Sequence, residues 1–266
     1  MKDEFSELYL RGGWKRGGGE TASGAGSTLA YTQQIRAELP KLFEKLGIKT
    51  ILDAPCGDFN WFAHVKLDGV NYIGMDIVSE MVAENQRRYG SSEKRFVQGD
   101  ASSTPLPKVD LMFCRDLMRH IKFEASLNVL RNFLRSGIPY LLATSYVVRR
   151  NREIEGNFGS RPINLRLDPF YLPEPQERIY DSIEGFKERY LCLWTRVDVE
   201  RALQTGAVAV DERAASGERT LDDLKIEIEA LRSKRVADLN GNRDETSVIL
   251  DTVSALVKAI EGELKA

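Results

Sequence analysis

The sequence predicts an α/β fold, a doubly wound and mainly parallel sheet, followed by a helical hairpin or coiled-coil tail. Three observations support it. Short apolar runs recur between residues 47 and 146 without alternation, as strands buried on both faces do. Stretches of helical period, 29–46 and Ser79–Tyr89, separate them. The first three runs each lead into an aspartate, Asp53, Asp76 and Asp100, at the strand ends where open α/β sheets bind ligands.

The first strand, 47–52, breaks into Asp53-Ala-Pro-Cys-Gly-Asp58. Asp58 is placed to cap a helix over 59–65, with its free amides facing a ligand over the strand end. A dinucleotide fingerprint requires three glycines here, and only Gly57 matches. Two carboxylates, Asp53 and Asp58, also disfavour a diphosphate, so a cationic ligand suits the loop better and a nicotinamide-dependent enzyme ranks third among the readings. The second strand, 70–76, ends at Asp76, nineteen positions past Gly57, the separation at which a carboxylate reaches both hydroxyls of a ribose. Capping of the next helix is the other reading of Asp76. A third strand, 95–100, ends in Asp100-Ala101, a fourth spans 109–114 and a fifth 139–146.

Leu52 to Trp61 read Leu-Asp-Ala-Pro-Cys-Gly-Asp-Phe-Asn-Trp, which resembles the first motif of a poorly characterised branch of the class I S-adenosylmethionine-dependent methyltransferases. The resemblance extends from about Trp14 to about Trp194. It implies a Rossmann-like class I methyltransferase fold, S-adenosylmethionine as cofactor, and Asp53, Gly57 and Asp58 in the donor loop. It also implies adenine contact at Asp100 and Ala101, where a turn role is the alternative. Residues 1–28 are rich in glycine, with Ser23-Gly-Ala-Gly-Ser27 leading into the helix 29–46. A flexible linker explains that composition. The branch carries a similar segment that implies a lid over the donor, with Thr32 and Arg36 then placed to meet the methionyl carboxylate.

The fourth strand ends in Arg115-Asp116-Leu-Met-Arg119-His120, where this fold brings methyl donor and acceptor together. His120 is one of two histidines, and an imidazole suits removal of a hydroxyl proton. Asp116, four residues earlier, would orient the ring across a helical turn or raise its pKa. A structural histidine packed between helix and sheet is the other reading. Arg115 either holds the donor's carboxylate or pairs with Asp110 or Asp116.

Residues 147–182 read as a long irregular segment rich in arginine, asparagine and aromatics, a candidate acceptor site. Arg149, Arg161 and Asn164 are its candidate substrate contacts, and a solvated arginine face is the bland alternative. The methyltransferase domain is expected to span 29–204, closing with a strand at 190–194 and a short helix, 196–204. Residues 208–217 read as a polar linker. Two apolar stripes follow within 218–266, suited to a homo-oligomer or a partner protein.

A net charge of −2 disfavours nucleic acid as the main partner, and no run is long enough to span a bilayer. The N-terminal residues lack the apolar core of a secretory signal, and a cytoplasmic location is expected. Cys56, Cys114 and Cys192 have no spacing for disulfides or a metal, so no metal ligand is assigned. The expected activity is methyl transfer to a hydroxyl of a sugar, glycan or other polar small molecule. The alternative is a non-catalytic scaffold on the same fold, assembling through its tail.

Overall fold

The computed structural model describes residue 7, residues 19–154 and residues 159–216, with side chains of the last helix placed to residue 207. The chain divides into two compact units, Met1–Gly206 and Ala207–Ala266, and the sheet and its cavity belong to the first. The apolar stripes expected within 218–266 lie outside the described residues.

Seven strands form one sheet: β1 (Thr50–Asp53), β2 (Asn71–Asp76), β3 (Lys94–Gln98), β4 (Leu111–Cys114), β5 (Tyr140–Tyr146), β6 (Glu177–Tyr180) and β7 (Arg189–Thr195). Their order is β3-β2-β1-β4-β5-β7-β6. The first five pair in parallel, and β7 runs antiparallel to both β5 and β6. The order reverses between β1 and β4, which opens a crevice above their carboxyl ends.

Alternate residues along the strands feed two apolar layers. Leu52, Ile73, Met112 and Leu141 enter one, while Ile51, Tyr72, Leu111 and Leu142 enter the other. Helix α1 (Gln33–Leu46) covers the second layer through Ile35, Leu39, Leu42 and Phe43. Helix α2 (Ser79–Tyr89) follows β2, and α3 (Phe123–Ser136) covers the first layer through Val129, Leu130 and Phe133. Helix α4 (Arg196–Ser216) adds Val199 and Ala202 to that layer. Both faces are thereby dry, as the non-alternating runs require.

The structure corrects the sequence reading in three places. The helix expected over 59–65 is only a 3₁₀ turn, Phe62–His64, because Phe59 adopts a left-handed conformation with φ 57°. That conformation costs about 1–2 kcal/mol. It delivers the Phe59 ring into a cluster with Phe62, Tyr72, Tyr89 and Phe96, whose burial outweighs it. Second, the segment read as irregular to residue 182 contains β6, an edge strand in which Ile179 alone is buried. Third, α4 does not end at 204 but continues to Ser216, so residues 208–216 are helix where a linker was expected.

Candidate active site

One cavity of about 370 Å³ lies above the carboxyl ends of β1 to β4. It is lined by Asp53, Gly57, Asp58, Asp76, Asp100, Ala101, Arg115, Asp116 and His120, so most of the sequence-predicted site converges there. Thr32, Arg36, Arg149, Arg161 and Asn164 are not on its wall.

At the β1 end Asp53 is buried, and the Tyr72 hydroxyl donates to its Oδ2 at 2.7 Å. Burial pushes its carboxyl up to about 8, against the Tyr72 hydrogen bond. A cation placed beside Asp53 would restore its charge, so the residue suits a positively charged ligand. Asp76 accepts the Gly57 amide on Oδ2 at 3.0 Å and the Val78 amide on Oδ1 at 3.1 Å. Burial raises its pKa while those amides oppose the rise. Each oxygen keeps a second acceptor direction, which a ribose diol would satisfy. Asp100 Oδ1 accepts the Ser102 amide and hydroxyl at 2.8 and 2.6 Å, while Oδ2 has no hydrogen bond among the described residues.

Asp58 does not cap a helix. It holds the glycine-rich segment over the cavity: Thr21 Oγ1 and the Ala22 amide donate to its Oδ2 at 2.7 and 2.6 Å, and Ser23 Oγ to Oδ1 at 3.1 Å. Residues 23–27 line the cavity as a result. Gly57, at φ 56°, permits this approach, since a Cβ there would stand 2.5 Å from Ser23 Oγ. At the other end of the segment, Arg115 Nη2 donates to the Gly26 carbonyl at 2.8 Å.

Beyond β4 the cavity is bordered by a buried ionic network. Arg115 pairs with neither Asp110 nor Asp116. Its Nε and Nη2 both donate to the Asp181 carboxylate at 2.9 Å. Asp110 instead accepts the Lys49 and Thr50 amides at the foot of β1. Arg189, on β7, donates Nη1 to both Asp116 oxygens, 2.6 Å to Oδ2, and to the Tyr146 hydroxyl at 2.8 Å. Burial favours the neutral acid of Asp116, but Arg189, then Arg115 and Arg119, hold its carboxyl well below the usual range. Held this far down and already engaged by Arg189, the Asp116 carboxylate is a weak proton acceptor.

His120 meets the Gly159 carbonyl oxygen through Nδ1 at 3.0 Å. Asp116 does not meet the ring as a helical i to i+4 neighbour, because it has φ 62° and its carboxylate turns to Arg189. An Nδ1–H donated to a carbonyl makes Nε2 the basic nitrogen. Burial and then Arg119 lower the pKa of His120, with Asp116 opposing, which keeps the ring neutral and able to accept a proton.

The remaining sequence candidates serve the fold. Thr32 is fully buried and donates to the Thr28 carbonyl at 2.8 Å, and Arg36 donates to the Leu29 carbonyl at 2.9 Å. Neither lines the cavity. Arg161 lies against the Phe123 ring at 4.5 Å and beside Glu153 at 3.5 Å. Asn164 donates to the Val148 carbonyl and accepts the Arg166 amide, stitching its own segment, and Arg149 is exposed. Phe170, one of the aromatics of the segment read as a candidate acceptor site, is core. The residues that sequence reading missed are Tyr31, Tyr146, Asp181, Phe186 and Arg189.

Residues 51–137 match the family model described as "Methyltransferase domain". Among solved structures, the chain is similar to magnesium protoporphyrin IX methyltransferase from Synechocystis PCC 6803 with bound S-adenosylhomocysteine. That match has 15% identity over 73% of this chain and 97% of the other, with a TM-score of 0.53. A second likeness is to 1,6-didemethyltoxoflavin-N1-methyltransferase from Burkholderia thailandensis, bound to 1,6-didemethyltoxoflavin and S-adenosylhomocysteine. Its identity is 16% over 73% of this chain and 86% of the other, with a TM-score of 0.52. A search of curated protein sequences returns no significant match. The matched segment is a methyltransferase domain, and the fold around it is the one these solved structures share. Together they support an S-adenosylmethionine-dependent methyltransferase. Among the described residues no helix is long and apolar enough to cross a membrane.

Proposed function

We propose that the chain transfers a methyl group from S-adenosylmethionine to a hydroxyl of a sugar, glycan or other polar small molecule. The observation that carries this reading is one cavity lined both by the strand-end carboxylates Asp53, Asp76 and Asp100 and by His120, a half-buried imidazole whose pKa desolvation lowers. Asp76 would hold the ribose, Asp100 Oδ2 with the Ala101 backbone the adenine edge, and Asp53 the cationic part of the donor. Arg115 borders the methionyl end, although its fork is already committed to Asp181. The donor supplies an electrophilic methyl whose C–S bond breaks as the new C–O bond forms. His120 Nε2 takes the proton that the acceptor hydroxyl loses. Asp116 and Arg119 make that end of the cavity polar, which supports a polar acceptor. The two solved relatives act, by their names, on a porphyrin and a toxoflavin precursor, and the sugar preference here rests on the family resemblance alone.

Titration calorimetry with S-adenosylhomocysteine and, separately, NADH tests the reading. The wild type is expected to bind the former only. Asp76→Ala removes two hydrogen bonds to a charged acceptor, each worth about 1.5–3 kcal/mol, so its affinity should fall by about 10²–10⁴-fold. Undiminished binding by the variant removes Asp76 from the ribose role, and no binding by the wild type overturns the donor assignment.

Residues 19–28 act in this scheme as a lid latched to Asp58. Gly57→Ala sets a methyl against Ser23 Oγ and should release the latch. The expected result in stopped-flow displacement is about tenfold faster dissociation of S-adenosylhomocysteine, equal to the loss of about 1.4 kcal/mol of closure. An unchanged rate would show that the segment does not retain the donor.

A further inference from the structure

Phe186 lines the cavity yet remains 55% exposed, the most open large aromatic side chain among the described residues. Its position is fixed. It lies on the turn between β6 and β7, after Gly185 at φ 85°, with its amide donating to the Ile183 carbonyl at 3.1 Å. Its ring meets Tyr31 edge-on at 5.2 Å, and Tyr31 in turn covers the Arg189 guanidinium at 4.9 Å. Arg189 holds Asp116. This chain of contacts sets Phe186 at the Asp116 end of the cavity, away from the Asp76 and Asp100 end. Ile183, on the same turn, is 37% exposed, and Val147, whose amide donates to the Glu188 carbonyl at 3.0 Å, is 60% exposed.

We infer that Phe186 is a specificity-determining residue that stacks on the acceptor, and that the acceptor is a hydroxylated ring with a flat apolar face. An exposed ring at a cavity mouth costs hydration in the free protein and gains most from a flat partner. With one face stacked on Phe186, a ring can direct its hydroxyl inward toward His120. Two sources share this chemistry: the C–H face of a sugar and the face of a phenol. The inference rests on the methyltransferase reading, since it takes the Asp76 end as the donor's.

Saturation-transfer NMR tests it on full-length protein saturated with S-adenosylhomocysteine, using methyl β-D-glucopyranoside and p-cresol as separate probes. Calorimetry on the same sample reports donor-site binding. At least one probe is expected to bind, with transfer strongest to the protons of its flat face. Phe186→Ala should weaken that probe about five- to tenfold, Phe186→Trp should restore it, and neither should change S-adenosylhomocysteine affinity. Binding of the glucoside assigns a sugar and binding of the cresol an aromatic acceptor. Absence of both, or equal binding by Phe186→Ala, overturns the inference while the donor site stands. Failure of S-adenosylhomocysteine to bind overturns the proposed function itself.

Discussion

Asp181→Ala is expected to lower the free energy of unfolding by about 3–5 kcal/mol. The Asp181 carboxylate is fully buried and receives both arms of the Arg115 fork, with Arg189 Nε 3.3 Å away. Removing it leaves the Arg115 guanidinium, only 5% exposed, with the Gly26 carbonyl as its remaining acceptor. At that exposure little of the charge is hydrated, so its desolvation is no longer compensated. An exposed ion pair would behave differently, costing about 0–1 kcal/mol. Urea denaturation with an unchanged m-value is the measurement, and a loss below about 1 kcal/mol would show that the network is not structural. Arg115→Met combined with Asp181→Leu should recover most of the loss, because removing both charges removes the uncompensated one.

That network also shows where sequence reading stops. Strands β1 to β5 were legible because each signal is local: an apolar run, then a polar residue where the strand leaves the core. Asp53, Asp76 and Asp100 inherit their convergence from the sheet, since parallel neighbours bring their carboxyl ends to one edge. The pairing of Arg115 with Asp181 spans 66 positions, and that of Arg189 with Asp116 spans 73. No periodicity marks such partners. Strand β6 was invisible for a related reason, since an edge strand with one buried residue carries almost no apolar pattern.

The spacing of Asp116 and His120 misled in an instructive way. Four residues place two side chains together only on a helix. Asp116 lies in the left-handed region, at φ 62°, and its carboxylate is drawn to a strand far along the chain. The carboxylate therefore organises Arg189 and Tyr146, whose hydroxyl pKa burial pushes up to about 12, while a backbone carbonyl meets the imidazole. The two residues still border one cavity, although the contact expected between them is not made.

His120→Ala is expected to reduce kcat by about 10²–10⁴-fold, the usual contribution of a positioned general base, with S-adenosylhomocysteine affinity unchanged. The Asp76 and Asp100 carboxylates stand at the ends of β2 and β3 while the ring follows β4, so its loss should leave the contacts proposed for the donor intact. Its pH dependence provides a second, acceptor-independent signature. Burial lowers its pKa from 6.5 in the folded protein, so the unfolded chain binds the proton more readily. The neutral ring's contribution to stability is accordingly complete above the unfolded value and lost as pH falls below it toward the folded one. Wild-type turnover should rise with pH through the lowered folded value and level off above it. In His120→Ala, the residual activity should lack that rise, and stability should fall less steeply than in the wild type as the pH drops below 6.5. Quantifying methylated product by mass against pH, beside urea midpoints over the same range, separates the possibilities. Turnover equal to the wild type would remove His120 as the base, whereas a parallel loss of S-adenosylhomocysteine binding would make it a structural support of the cavity.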